Sequence, residues 1–275
     1  MCAAAAELPG NQEEWPMSLA NAEAAQPPSR LLLLMEGRAL HELAAFAASL
    51  PLLRLAPRGD GHPVLVLPGL VASDISTRPL RGFLKDHAYA AHGWKLGRNH
   101  GYFPGLERRM VDRIRDLRGR YGRKVSLIGW SLGGIFARQV AKVVPDDIRT
   151  VITLGSPFSG NPRASHAWRL YELASGYRVD DQSNAFARTL AEPPPVPTTA
   201  IYSRSDGICA WECCVEKRTD KSESIEVHSS HCGLGHNPAA VYAIADRLAQ
   251  REGEWRPFGR GGWRAFVYPE PARVS

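Results

Sequence analysis

The sequence predicts an α/β architecture, a mostly parallel central sheet flanked by helices, on three observations. Short apolar runs without polar alternation recur between residues 62 and 230. Stretches with helical spacing separate them. Gly- and Pro-containing turns close several of the runs, as in "VLVLPG" and "VSLIGWSLGG". Strands apolar on both sides need cover on both sides, which is the condition of a parallel sheet between helical layers. The length of 275 residues suits one such domain, and 44% hydrophobic with 23% charged residues is ordinary for a chain that buries a full core.

In chain order, residues 1–29 are rich in Ala, Glu and Pro without periodicity and read as a loose leader, with Met17 as an alternative start. Leu31 to Leu50 reads as an amphipathic helix ended by Pro51. Leu31 to Leu55 is the most apolar stretch, yet Glu36, Arg38, His41 and Glu42 make it too costly as a membrane span. The start has no basic segment followed by an apolar core, so it does not read as a signal peptide, and Cys2 follows Met1 directly, against a lipoprotein anchor. A cytoplasmic protein is the expectation.

Residues 62–69 form the first strand and 87–94 a weaker second. Leu106, Met110, Ile114, Leu117 and Tyr121 then mark a helix whose other face carries Arg108, Arg109, Arg113, Arg115 and Arg118. Asp112 and Asp116 interrupt that charge and no aromatic stacking set accompanies it, so a solvated face is expected and not nucleic-acid binding. The formal charge of +6 tolerates an anionic membrane or an acidic carrier as a peripheral contact. Residues 124–129 are the third strand, followed by the helix of Ile135, Phe136, Val140 and Val144, and 150–157 are the fourth. The interruption at about 158–197 is long for a bare loop, and its helical patches at 165–175 and 183–192 predict a small lid. Strands at 198–206 and 224–230 follow, then a helix over 238–250 capped by Asn237 with Pro238 in its first turn. The domain thus spans 30–250, and the tail 251–275 either wraps the surface or is disordered.

Ser131 lies between Gly129 and Gly133 where a strand runs into a helix. A G-x-S-x-G turn in that setting is sharp and strained, and it lifts the hydroxyl above the sheet at a helix N-terminus. A serine hydroxyl is a poor nucleophile at neutral pH, so a base and an orienting acid must come from other strand ends. Asp206 lies at the end of the fifth strand, His228 in or at the end of the sixth, and His231 and His236 follow it. Among the histidines, His231 sits in a non-helical loop flanked by glycine; His236 adjoins the helix cap, and His228 reads as packed or solvent-facing. Asp146, Asp147, Asp180 and Asp181 belong to other loops. The order Ser131, Asp206, His231 is nucleophile, acid, base.

"VLVLPGL", "LIGWSLGGIFARQVA", "TVITLGSPFSG", "YSRSDGI" and "SHCGLGHNP" together resemble the α/β-hydrolase superfamily over residues 60–250, and within it the bacterial serine lipases and esterases with a modest lid. The resemblance implies Ser131 as nucleophile, Asp206 as acid, His231 as base, and the backbone N–H groups of Leu70 and Leu132 as oxyanion donors. It implies a small acyl ester or lipid-like substrate and no cofactor or metal. Alternatives are an acyl-thioesterase or acyltransferase on a carrier-bound acyl group, or a catalytically silent binding module. Pro68 departs from the family, whose members usually carry histidine there, and this puts the backing of that loop in doubt. In the lid, Trp168, Leu170, Tyr171, Leu173 and Phe186 line an acyl groove or form the lid's own core. Five cysteines make no paired C-x-x-C framework and read as free thiols; the resemblance to some secreted lipases offers a Cys213 or Cys214 bond to Cys232 as an alternative. The sequence does not fix the oligomeric state.

Overall fold

The computed structural model describes residues 22–179 and 189–270. Met17 and most of the helical patch at 183–192, Phe186 included, lie outside them. Six strands form one sheet: β1 (Pro63–Leu67), β2 (Ala90–Gly93), β3 (Val125–Trp130), β4 (Ile148–Leu154), β5 (Thr198–Tyr202) and β6 (Ser222–Glu226). Their order is β2-β1-β3-β4-β5-β6 and every pair is parallel. The apolar runs produce this directly. Along β1, Val64 and Val66 enter one core while Leu65 and Leu67 enter the other, because alternate side chains point to opposite faces.

Among the described residues the sheet is flanked, in chain order, by α1 (Arg30–Leu34), α2 (Ala39–Leu53), α3 (Arg78–Asp86), α4 (Leu106–Tyr121), α5 (Leu132–Val143), α6 (Trp168–Ser175), α7 (Pro238–Leu248) and α8 (Arg264–Val267). Leu80, Phe83 and Leu84 of α3 and the apolar side of α7 cover one face. Met110, Ile114 and Leu117 of α4, with Phe136 and Val140 of α5, cover the other. Each fully buried Leu or Ile contributes roughly 1.5–3 kcal/mol of transfer free energy. Asn237 caps α7 as expected, its side chain accepting from the N–H groups of Ala239 and Ala240.

Several elements differ from the sequence reading. The helix expected over Leu31 to Leu50 is α1, a 3-10 turn (Met35–Arg38) and α2, and Pro51 lies inside α2 rather than ending it. Buried Leu53 and the Arg54 N–H bond to the Leu50 carbonyl hold the last turn in spite of the missing donor. Its face is inverted as well: Phe46 and Leu53 pack inward, while most of its leucines face out. Helix α3 is an addition; Arg78, Arg81 and Lys85 mask its apolar stripe in a linear reading. Within the expected loose leader, Ala22 and Ala25 are buried, and the Pro28 carbonyl accepts from His166 Nε2 at 2.8 Å. In the tail, Phe258 and Tyr268 pack into the core beside α7. No helix among the described residues is long and apolar enough to cross a membrane.

From β1 the chain moves outward to β2, then returns on the other side of β1 as β3. The loops after β1 and β3 therefore leave in opposite directions and open a crevice at the carboxyl edge.

Candidate active site

Ser131 stands in that crevice at φ 53°, ψ −123°, a left-handed conformation costly for a residue with a Cβ. Two glycines allow the turn. A Cβ on Gly129 would collide with the backbone of Gly134, and one on Gly133 would lie 2.6 Å from the Leu67 carbonyl oxygen. The Ser131 N–H donates to the Leu154 carbonyl at 2.8 Å, which anchors the turn on β4.

Asp206 and His231, 3% and 5% exposed, form a close pair with Nδ1 of the ring 2.6 Å from Oδ2 of the carboxylate. The second oxygen, Oδ1, accepts the N–H groups of Ile208 and Cys209 at 2.8 Å each. This fixes Asp206 as an acceptor and aims His231 through Nδ1. Burial opposes a charged ring, but the Asp206 carboxylate, with Cys209 also against the ring, outweighs it and holds His231 well above its ordinary value. Gly155 joins the pair to the serine: it follows Leu154 in the chain, and a Cβ there would lie 3.1 Å from His231 Nδ1. Among the described residues no hydrogen bond joins Ser131 to His231; such contacts commonly tighten only with substrate bound.

A cavity of about 150 Å³ opens beside Ser131. Leu70 and Leu132 line it, as do Ile135, Trp168 and Tyr171. Leu170 and Leu173 of α6 are instead exposed. The loop that carries Leu70 is held by buried Asn99, whose Nδ2 donates to the Pro68 carbonyl at 2.8 Å and whose own carbonyl accepts from Val71. Asn99 thus backs the segment where Pro68 departs from the lipase pattern.

The other candidates lie elsewhere. His236 Nε2 is 3.0 Å from the Ala39 carbonyl of α2, and its ring meets Trp130 edge-on. His228 is exposed. Asp147 pairs with Arg115 and Arg118 of α4, and Asp180 and Asp181 lie outside the described residues. Cys209, Cys213, Cys214 and Cys232 are free. The alternative of a cystine between Cys213 or Cys214 and Cys232 fails because both candidates point away: Cys213 Sγ is directed at the Ala22 and Asn161 carbonyls, and Cys214 Sγ at that of Ala210. Burial pushes the Cys213 thiol up to about 12.

Three site features escaped the sequence reading. Glu36 accepts the N–H groups of Gly207, His231 and Cys232 at 2.8, 2.9 and 2.9 Å, so one carboxylate grips the acid loop and the base loop together. Partial burial opposes its charge, yet the three donors hold it below the usual carboxylate range. Arg38 and Glu42 extend the grip, Arg38 to Ser205 and the Ser229 carbonyl, and Glu42 to Ser229 Oγ and the Ser230 N–H. Finally, the Trp130 indole N–H donates to the His231 carbonyl at 3.0 Å. Trp130 stands inside the G-x-S-x-G motif, at a position the motif leaves open.

Comparison with known proteins agrees with this architecture. A family model described as the PGAP1-like alpha/beta domain matches residues 84–191. No curated protein matches the chain. Among solved structures, Aspergillus fumigatus lipase B superposes with a TM-score of 0.53 at 17% identity, over 73% of this chain and 57% of that one, so the chain spans under two thirds of that lipase. Bacillus licheniformis lipase BlEst2 superposes with a TM-score of 0.52 at 14% identity, over 72% of this chain and 95% of its own. A structure titled for LipS and LipT, two metagenome-derived lipolytic enzymes, gives 0.50 at 17% identity, over 70% and 94%. The chain has the α/β-hydrolase fold.

Proposed function

We propose that the protein is a serine hydrolase of carboxylic esters, lipase- or esterase-like, acting through Ser131, His231 and Asp206. One observation carries this reading: a serine held at positive φ over an apolar cavity, its N–H bonded to Leu154, whose neighbour Gly155 abuts a buried His–Asp pair. His231 Nε2 takes the Ser131 proton as Oγ attacks the ester carbonyl carbon. The Leu70 and Leu132 N–H groups, which have no acceptor among the described residues, receive the oxyanion. The alcohol leaves with the proton from His231, and water then cleaves the acyl-enzyme by the same route. Asp206 stabilises the imidazolium formed in each half.

The cavity's aromatic and aliphatic lining favours a small ester with an apolar acyl group, and α6 at the cavity wall acts as its lid. The free thiols suit a reducing compartment, and we assign the protein to the cytoplasm on that ground.

A fluorophosphonate probe tests the reading. The expected result is a single labelled site, lost in Ser131→Ala, with hydrolysis of p-nitrophenyl esters lost in parallel. An unlabelled wild type, under conditions that label a known serine esterase, would support a silent binding module instead. A parallel series of esters and acyl thioesters of rising chain length separates esterase from thioesterase: higher kcat/KM on thioesters would overturn the ester assignment.

A further inference from the structure

Helix α2 is built inside out. Its inward stripe is Ala39, Glu42, Phe46, Ser49 and Leu53, spaced at three and four residues. Everything between is exposed, and apart from His41 what is exposed is apolar, Leu40, Leu43, Ala44, Ala47, Ala48 and Leu50 among it. The pattern continues at both ends, with Leu34 81% and Leu55 83% exposed. Of the sixteen large apolar residues exposed among the described residues, nine lie between Leu31 and Leu55. Contiguous apolar patches on soluble monomers seldom exceed about 600 Å², and larger ones mark a covered surface.

The charges around this segment indicate what covers it. Its two acidic groups, Glu36 and Glu42, are both turned inward onto the acid and base loops. No carboxylate of the segment faces outward. At its two ends stand Arg30 and Arg54, both exposed, neither with an ion-pair partner among the described residues. The face is convex, since it is the outer side of a helix, and between the arginines its only polar side chain fully exposed is that of His41. A protein partner is ordinarily met with aromatic anchors and about one hydrogen bond per 100–200 Å². This face offers neither. Aliphatic side chains along a helix with cations at its margins match a helix lying in the plane of a membrane interface.

We propose that residues 30–55 dock the protein on an anionic lipid surface, with Leu31, Leu34, Leu40, Leu52 and Leu55 among the acyl chains and Arg30 and Arg54 at the phosphates. The docking does not depend on the reaction assigned to Ser131. It does place the bilayer against the segment whose inner side grips both site loops.

The test is sedimentation of the full chain with vesicles of equimolar phosphatidylglycerol and phosphatidylcholine. The wild type is expected to pellet with them. The double variant Leu34→Glu/Leu52→Glu should bind roughly tenfold less or weaker still, since it forces charge into the acyl region. Both side chains are exposed, so its thermal unfolding should match the wild type. A second double variant, Arg30→Gln/Arg54→Gln, should lose preference for anionic over purely zwitterionic vesicles while still folding. A wild type that stays in the supernatant overturns the proposal, as does undiminished pelleting of the leucine variant. A dimer in light scattering that the leucine variant splits, without vesicle binding, would make the face an interface between copies. Sedimentation needs no turnover, so failure here leaves the hydrolase reading untouched, and failure of the fluorophosphonate label leaves this one untouched.

Discussion

Among the described residues, two His–Asp pairs lie at opposite ends of the strands, each near a serine. At the carboxyl edge, His231 Nδ1 lies 2.6 Å from Asp206, near Ser131. At the amino edge, His62 Nδ1 lies 2.6 Å from Asp60 and its Nε2 lies 2.8 Å from Ser126 Oγ. By hydrogen bonding alone the second cluster is the more complete. What separates them is their setting. Ser126 is fully buried within β3, paired on both sides with β1 and β4, whereas Ser131 occupies a strained turn with a cavity and free N–H groups beside it. The electrostatics also diverge. His62 is pushed down to about 4 by burial, reinforced by the charges of Arg149 and Arg123, while at His231 burial is outweighed by the Asp206 carboxylate. The constellation alone is therefore no mark of chemistry; the proposed site differs from it in exposure, strain and the cavity beside its serine.

The sharpest way to break this comparison is to remove each serine. Ser131→Ala should lower kcat for ester hydrolysis by roughly four to six orders of magnitude. Ser126→Ala should leave kcat within about twofold but cost about 1–3 kcal/mol in urea unfolding, because it strands His62 Nε2. Equal losses of activity in the two variants would sink the distinction.

A smaller effect is expected from Glu36→Gln, which retains the shape of the clamp on the two site loops but not its charge or both acceptors. A drop of up to roughly 100-fold in kcat, with KM little changed, is the signature of a shifted base rather than a lost pocket. Such a shift should also move the alkaline-rising limb of kcat/KM, which for the wild type lies above pH 6.5 because His231 is held high. A pure stability loss would leave that limb in place.

The smallest effects, on the order of 2 kcal/mol, concern stability against pH, and the two histidines should have opposite signs. His62 has a lowered folded value, so the unfolded chain binds more protons at acid pH. Its contribution is present above pH 6.5 and is lost as pH falls toward about 4. His231 has a raised folded value, so its contribution is full below pH 6.5 and is lost as pH rises through the folded value. Denaturant unfolding of wild type against His62→Gln and His231→Gln across this range measures both slopes; parallel slopes would refute the contrast.

The sheet was legible because its strands are continuous apolar runs, and all six expected strands are present. The pairing of Asp206 with His231 was legible because both sit just past strand ends, in an order that parallel topology brings to one edge. The amino-terminal segment was not. Periodicity identifies a helix but does not say which stripe faces in, and the usual assumption that leucines face the core fails for α2. Glu36 and Trp130 escaped for a related reason: each reaches its partner across a sequence gap that no local pattern encodes. The unsuspected cluster at Asp60, His62 and Ser126 shows the converse, since residue types that suggest chemistry can meet where there is no room for a substrate.

The Glu36 clamp also bears on how the molecule is made. Its carboxylate precedes every strand of the sheet in the chain, and its partner His231 follows 195 residues later. During synthesis the acid and base loops emerge long after the group that seats them, so the site closes only when the last third of the chain has joined the sheet. A nascent chain halted before β6 would carry a finished serine turn with no His231 beside Asp206.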